Sequence, residues 1–153
     1  MVTIWIIPTS QIDVWRSRQV SMDLIEVMCM NQNTVLVVDD EPSFCYVMKE
    51  VLNMTGYKVR LAYNATQALG SLQEFRPNLI LLDVMLPKID GLSLLRRIRM
   101  DPALADIPTL VVSAKSENKE KQAARQAGAD DFLAKPFSLR QLQDALSNLA
   151  PLM

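Results

Sequence analysis

Five short runs of β-forming residues alternate with five amphipathic runs from about Asn33 to the end of the chain. Two of them, Thr34–Val38 and Leu79–Leu82, are almost continuously apolar, which indicates strands that are buried on both faces. Lys58–Ala62 is more polar and suits the edge of a sheet. Strands that alternate with helices through short links predict a parallel sheet with helices on both faces. We therefore expect one α/β domain with a single core.

The other strands are predicted at Thr109–Val112 and Phe132–Ala134. Apolar residues at helical spacing follow each strand, and Asn64 and Ser138 are suitable N-caps for the second and fifth helices. The predicted helical faces are marked by Phe44, Val47, Met48, Val51 and Leu52; by Ala65, Ala68, Leu69, Leu72 and Phe75; by Leu92, Leu95 and Ile98; by a polar run from about Glu117 to Ala127; and by Leu139, Leu142, Leu146 and Leu149.

Residues 1–32 do not fit this repeat, so the expected division is an N-terminal extension, 1–32, and a domain, 33–150. The extension is predicted to be poorly ordered, or to result from a wrongly assigned start site. Alternatively, it forms a helix that docks on a partner or on the domain. Its first apolar run ends at Pro8 and has no basic flank, which is unlike a secretory leader or a membrane span. With Cys45 expected as a buried thiol, this favours the cytoplasm.

The chain contains no histidine. Catalysis by Ser–His–Asp or Cys–His groups, zinc bound by histidine and a phosphohistidine on this chain are therefore all excluded. The 16 basic and 17 acidic side chains nearly balance, so we expect no direct binding of nucleic acid.

Polar residues stand at the carboxyl ends of four of the five predicted strands. They are Asp39 and Asp40 after the first strand, Asp83 after the third, Ser113 after the fourth and Lys135 after the fifth. Each has an ordinary explanation by itself, because Asp often forms turns and Ser and Lys often face solvent. Together they converge at the edge of the sheet where ligands of such folds bind. Crowded carboxylates favour a hard cation such as Mg²⁺, and a lysine suits phosphate oxygens, so the set predicts phosphoryl transfer to an aspartate.

Four segments closely resemble the receiver domain of bacterial two-component response regulators. They are VLVVDDEP (Val35–Pro42), LILLDVMLPKIDG (Leu79–Gly91), TLVVSAK (Thr109–Lys115) and GADDFLAKPF (Gly128–Phe137). The resemblance runs from Thr34 to about Leu149. It implies a flavodoxin-like receiver fold, a doubly wound sheet of five parallel strands in the order 2-1-3-4-5 with five helices.

The resemblance also implies a role for each residue of the set. Asp83 would be the phosphoryl acceptor, and Mg²⁺ would be bound by Asp39, Asp40, Asp83 and the backbone carbonyl of Met85. Lys135, before an expected cis proline, would bind the phosphate, Ser113 would be the switch hydroxyl and Phe132 the switch aromatic residue. Since this chain has no histidine, the donor would be a histidine kinase or a phosphotransfer protein.

The expected output is a change in protein–protein contacts through the face formed by the fourth helix, the fifth strand and the fifth helix. The alanine-only apolar side of the fourth helix indicates either a weakly anchored, movable element or close packing on the sheet. Since the fifth helix is predicted to end just before Met153, we expect no output domain and a stand-alone receiver. It would act either as a phosphorelay intermediate or by binding a protein target, with no membrane contact and possible phosphorylation-dependent dimerisation. We also hypothesise that Met85 hinders the water that hydrolyses the acyl phosphate.

The same residues suggest two other functions. A phosphohydrolase with an aspartate nucleophile needs a second acidic residue two positions later as general acid, where this chain has Met85. A degenerate receiver that serves only as a scaffold would not need the complete set of polar residues. Apart from its own phosphorylation and dephosphorylation, the chain is not expected to be an enzyme.

Overall fold

A computed structural model of the chain describes residues 33–151. The predictions for residues 1–32 lie outside this range. The five strands are β1 (Thr34–Val38), β2 (Lys58–Ala62), β3 (Leu79–Asp83), β4 (Thr109–Ser113) and β5 (Asp131–Ala134), and the five helices are α1 (Pro42–Met54), α2 (Ala65–Glu74), α3 (Gly91–Met100), α4 (Asn118–Ala127) and α5 (Leu139–Leu149).

The strands form one parallel sheet in the order β2-β1-β3-β4-β5. This confirms the predicted α/β fold, its strand order and the position of the polar strand β2 at an edge. Three strands extend one residue further than expected, because Asp83, Ser113 and Asp131 still pair with the neighbouring strand.

Alternate residues of the strands point into two separate cores. Val35, Val37, Leu79 and Leu81 pack with residues of α1 and α5. Leu36, Val38, Ile80 and Leu82 pack instead with residues of α2, α3 and α4. The sheet is thus covered on both faces, as the apolar runs predicted.

Local hydrogen bonds explain where several helices begin and end. Asn64 accepts a hydrogen bond from the backbone of Gln67, and Ser138 forms a reciprocal capping box with Gln141. Gly128 ends α4 with a φ of 107°, a conformation that costs little without a β carbon. Only Ala124 and Ala127 of α4 are buried, which confirms that its apolar side is small.

Among the described residues, no helix has the length and apolar character needed to cross a bilayer.

Candidate functional site

The carboxyl ends of β1 and β3 bring three aspartates together. One carboxylate oxygen from each of Asp39, Asp40 and Asp83 lies within 4.8 Å of the other two. Asp39 and Asp83 are buried and Asp40 is exposed, so two carboxylates of the cluster lie inside the protein and the third is open to solvent. This is the convergence that the strand ends predicted.

Lys135 reaches this cluster from the end of β5. Its ammonium nitrogen lies 2.7 Å from Asp39 Oδ2 and 3.6 Å from Asp83 Oδ2. The shorter distance is a charge-assisted hydrogen bond, and the longer one is an ion pair only. The peptide bond between Lys135 and Pro136 is cis, as the resemblance implied.

Backbone amides satisfy part of the remaining hydrogen-bonding capacity of the two buried carboxylates. Glu41 N donates to Asp39 Oδ1 over 2.9 Å, and Met85 N donates to Asp83 Oδ1 over 3.2 Å. The Cys45 thiol donates to the carbonyl oxygen of Asp39 over 3.2 Å. Burial raises the pKa of this thiol to about 11, so Cys45 stays neutral beneath the site, as expected of a buried thiol.

Burial, followed by the negative charge of Asp39, raises the pKa of Asp83 to about 6. The backbone amide of Met85 and the charge of Lys135 oppose this shift without cancelling it. The ionised form of Asp83 is therefore disfavoured by its surroundings, and a cation close to it would stabilise that form.

These groups suit Mg²⁺. The ion prefers hard oxygen ligands such as carboxylates and carbonyls and retains several waters, and the exposure of Asp40 gives water access to the cluster.

Ser113 and Phe132 lie beyond this cluster, on β4 and β5. Ser113 is buried, and its Oγ accepts a hydrogen bond from the Lys115 amide over 3.1 Å. It lines a groove of about 400 Å³ with Met85, Lys115 and residues of α4. Phe132 is partly buried against the α2–α4 core and borders α4 at Ala124 and Arg125. The two predicted switch residues thus lie on neighbouring strands, and each lines a groove with residues of α4.

Two residues at the site were missed by the sequence analysis. Gly91 begins α3 next to β3, and a β carbon there would lie 2.1 Å from the carbonyl oxygen of Asp83. The pairing of Gly with Asp90, which caps α3, could have indicated a close approach. The helical spacing of α1 predicts Phe44 as a core residue, yet its ring centroid lies 3.9 Å from the Lys135 ammonium. No local pattern indicates that contact.

The model of the family described as "Response regulator receiver domain" matches residues 35–147. The chain is 41% identical, over 109 residues, to the phosphate regulon transcriptional regulatory protein PhoB of Pseudomonas aeruginosa, which covers 71% of this chain and 48% of that protein. It is 40% identical, over 108 residues, to the response regulator MprA of Mycobacterium avium, with 71% and 46% covered. The chain thus spans about half the length of the curated relatives it matches.

Two solved structures are similar in both fold and sequence. A putative response regulator from Chloroflexus aurantiacus superposes with a TM-score of 0.74 at 36% identity, covering 77% of this chain and 97% of that one. The receiver domain of the sensor histidine kinase PA1611 from Pseudomonas aeruginosa superposes with a TM-score of 0.72 at 33% identity, with 77% and 97% covered. That structure has a magnesium ion coordinated in its active site cleft.

Proposed function

Because this chain belongs to the response regulator receiver family, we propose that Asp83 is the residue whose phosphorylation operates it as a switch. Receiver domains are phosphorylation-based signalling switches rather than metabolic enzymes, and they receive phosphoryl groups from histidine kinases. The observation that carries the choice of Asp83 is its position: it is buried at the end of β3, within 4.8 Å of the other two carboxylates of the cluster and 3.6 Å from the ammonium of Lys135.

In the proposed reaction, an oxygen of the Asp83 carboxylate attacks the phosphorus of the donor. The bond from phosphorus to the donor nitrogen breaks, the electron pair leaves with the imidazole of the donor's phosphohistidine, and Asp83 becomes an acyl phosphate. Lys135, which is already 3.6 Å from Asp83 Oδ2, neutralises charge on the transferred oxygens. Hydrolysis of the acyl phosphate by water returns Asp83 to the carboxylate.

Asp39, Asp40, Asp83 and the carbonyl oxygen of Met85 are the proposed magnesium ligands. When bound, Mg²⁺ would offset the repulsion among the carboxylates and the negative charge of the incoming phosphoryl group. The Lys135–Asp39 hydrogen bond holds a second positive charge beside the two buried carboxylates.

The readout proposed for this switch begins at Ser113. In the structure its Oγ accepts from the Lys115 amide, so its own hydrogen is available for a phosphoryl oxygen on Asp83. Movement of Ser113 towards that oxygen would open space beside β4, and Phe132 at the α4–β5 face would turn into it. The resulting change at this face would alter contacts with a downstream protein or with a second copy of the chain.

Incubation with acetyl phosphate and Mg²⁺, followed by intact mass measurement, tests the proposal. The native protein should gain one hydroxylamine-sensitive phosphoryl group, and Asp83→Asn should gain none. Asp101→Asn, at the exposed end of α3, is the matched control and should be phosphorylated like the native protein. A phosphorylated histidine kinase is the second donor. Failure with both donors, or phosphorylation of Asp83→Asn, would overturn the proposal.

A further inference from the structure

The Lys135 ammonium is enclosed on three sides. Asp39 and Asp83 form two of them, at 2.7 Å and 3.6 Å, and the ring of Phe44 forms the third, with its centroid 3.9 Å from the nitrogen. The lysine side chain is only 20% exposed. An ammonium group this close to a ring centroid, with little access to water, is stabilised by the negative face of the ring.

The ring of Phe44 is itself held in place. It meets the ring of Phe137 edge to face, with centroids 6.2 Å apart and planes at 89°. Both side chains pack against the core between the sheet and helices α1 and α5. Phe44 is in the first turn of α1, which begins at Pro42, two residues after Asp40, so the ring and the acidic cluster are connected by a short, ordered stretch of chain.

From this geometry we propose that Phe44 is a positioning residue for Lys135, holding its ammonium where it can transfer from Asp39 to the phosphoryl group on Asp83. This inference rests on the proposed function of Asp83. In the resting structure the ammonium donates to Asp39 and is farther from Asp83. It must therefore turn between two acceptors during the reaction.

An aromatic face suits this movement for a physical reason. Attraction between a cation and a ring depends weakly on direction, so the ammonium can turn from Asp39 towards Asp83 while it stays over Phe44. A carboxylate or hydroxyl at position 44 would instead compete as a hydrogen-bond acceptor. An aliphatic residue of similar size would fill the space but would leave the ammonium held by the two carboxylates alone.

The electrostatic role is separable from simple packing by fluorinating the ring. Phenylalanine analogues with one, two and three ring fluorines at position 44 keep the shape nearly constant while they progressively weaken the negative face. We expect the rate of phosphorylation by acetyl phosphate to fall steadily along this series, by about threefold to tenfold in total. Phe44→Leu should be phosphorylated at least as slowly as the trifluoro analogue, and Phe44→Trp should be phosphorylated at about the native rate.

Two other phenylalanines serve as matched controls. Phe137 contacts the ring of Phe44 but is not the ring that lies against the Lys135 ammonium. Phe75 lies outside the acidic site, and its ring centroid is 4.6 Å from the guanidinium carbon of Arg60. Trifluorophenylalanine at either position should leave the phosphorylation rate unchanged. Equal rates throughout the series at position 44, or an equal loss at position 137, would overturn the inference.

A second measurement does not depend on phosphoryl transfer. Urea unfolding of the native protein, the trifluoro analogue at position 44, Lys135→Met and the double variant forms a thermodynamic cycle. A coupling of about threefold or more in the unfolding equilibrium constant supports the contact, whereas independent effects refute it. If the native protein is not phosphorylated by any donor, the proposed function fails and this cycle still decides whether Phe44 positions Lys135.

Discussion

Gly91 approaches the backbone of Asp83 so closely that a β carbon on it would lie 2.1 Å from the Asp83 carbonyl oxygen. The amide of Gly91 also donates to the carbonyl of Val84 over 2.8 Å, so the start of α3 is fixed against the end of β3. Any side chain at this position must displace the strand end that carries the proposed phosphoryl acceptor.

Gly91→Ala should therefore destabilise the fold by about 1–3 kcal/mol and slow phosphorylation of Asp83 more than tenfold. Gly70→Ala is the control, because a β carbon at position 70 in α2 meets nothing within 4 Å. It should stabilise the protein by about 0.5–1 kcal/mol through higher helix propensity and leave phosphorylation unchanged. Urea unfolding and the acetyl phosphate assay provide both measurements, and native-like phosphorylation of Gly91→Ala would contradict the close-approach argument.

The raised pKa of Asp83 gives the metal-free protein a specific pH dependence. Since the pKa rises from 3.8 to about 6 on folding, the neutral carboxyl contributes stability that is fully present below pH 3.8 and is lost as the pH rises through 6. Asp83→Asn cannot ionise, so in EDTA its stability relative to the native protein should increase between pH 4.5 and 7.5, by on the order of 1–3 kcal/mol. Urea midpoints at several pH values would show this difference, and a difference independent of pH would refute it.

Bound Mg²⁺ should offset the electrostatic repulsion among the three carboxylates and so stabilise the fold. We expect millimolar Mg²⁺ to raise the thermal midpoint of the native protein by several degrees at pH 7.5, and by less at pH 5.5, where Asp83 is largely protonated. Asp40→Asn should abolish most of this stabilisation, because it removes the exposed carboxylate of the cluster. Asp144→Asn, an exposed acidic residue of α5, should respond to Mg²⁺ as the native protein does; an equal loss in both variants would indicate only general screening by salt.

Met85 remains the residue predicted to slow loss of the phosphoryl group. Its side chain is 57% exposed and lines the groove that also contains Ser113. Met85→Asn should accelerate dephosphorylation severalfold, because an amide can orient the attacking water where the thioether excludes it. Met100→Asn, on the exposed side of α3, is the control for replacing a surface methionine and should not change the lifetime. An unchanged or slower rate in Met85→Asn would show that Met85 does not restrict the water.

Several features were predictable because they depend on residues close together in the sequence. The apolar runs of β1 and β3, the caps at Asn64 and Ser138 and the stop at Gly128 each follow from local spacing and composition. Asp39 and Asp40 also follow a buried strand, so the choice of Asp83 as the proposed phosphoryl acceptor depended on the resemblance to the family. The strand order 2-1-3-4-5 required the resemblance to a family, since alternation alone allows several parallel sheets.

Only the folded arrangement decided which groups act on one another. Asp39 and Lys135 are 96 residues apart, and nothing in the sequence states that the ammonium donates its hydrogen bond to Asp39 rather than to Asp83. The same holds for Phe44, whose spacing in α1 predicted a core residue and whose ring lies against that ammonium. Periodic patterns report which face of an element is buried, because burial averages over many neighbours. Hydrogen bonds and ring contacts depend on differences of less than an ångström between distant segments, which are set when the sheet and helices pack together.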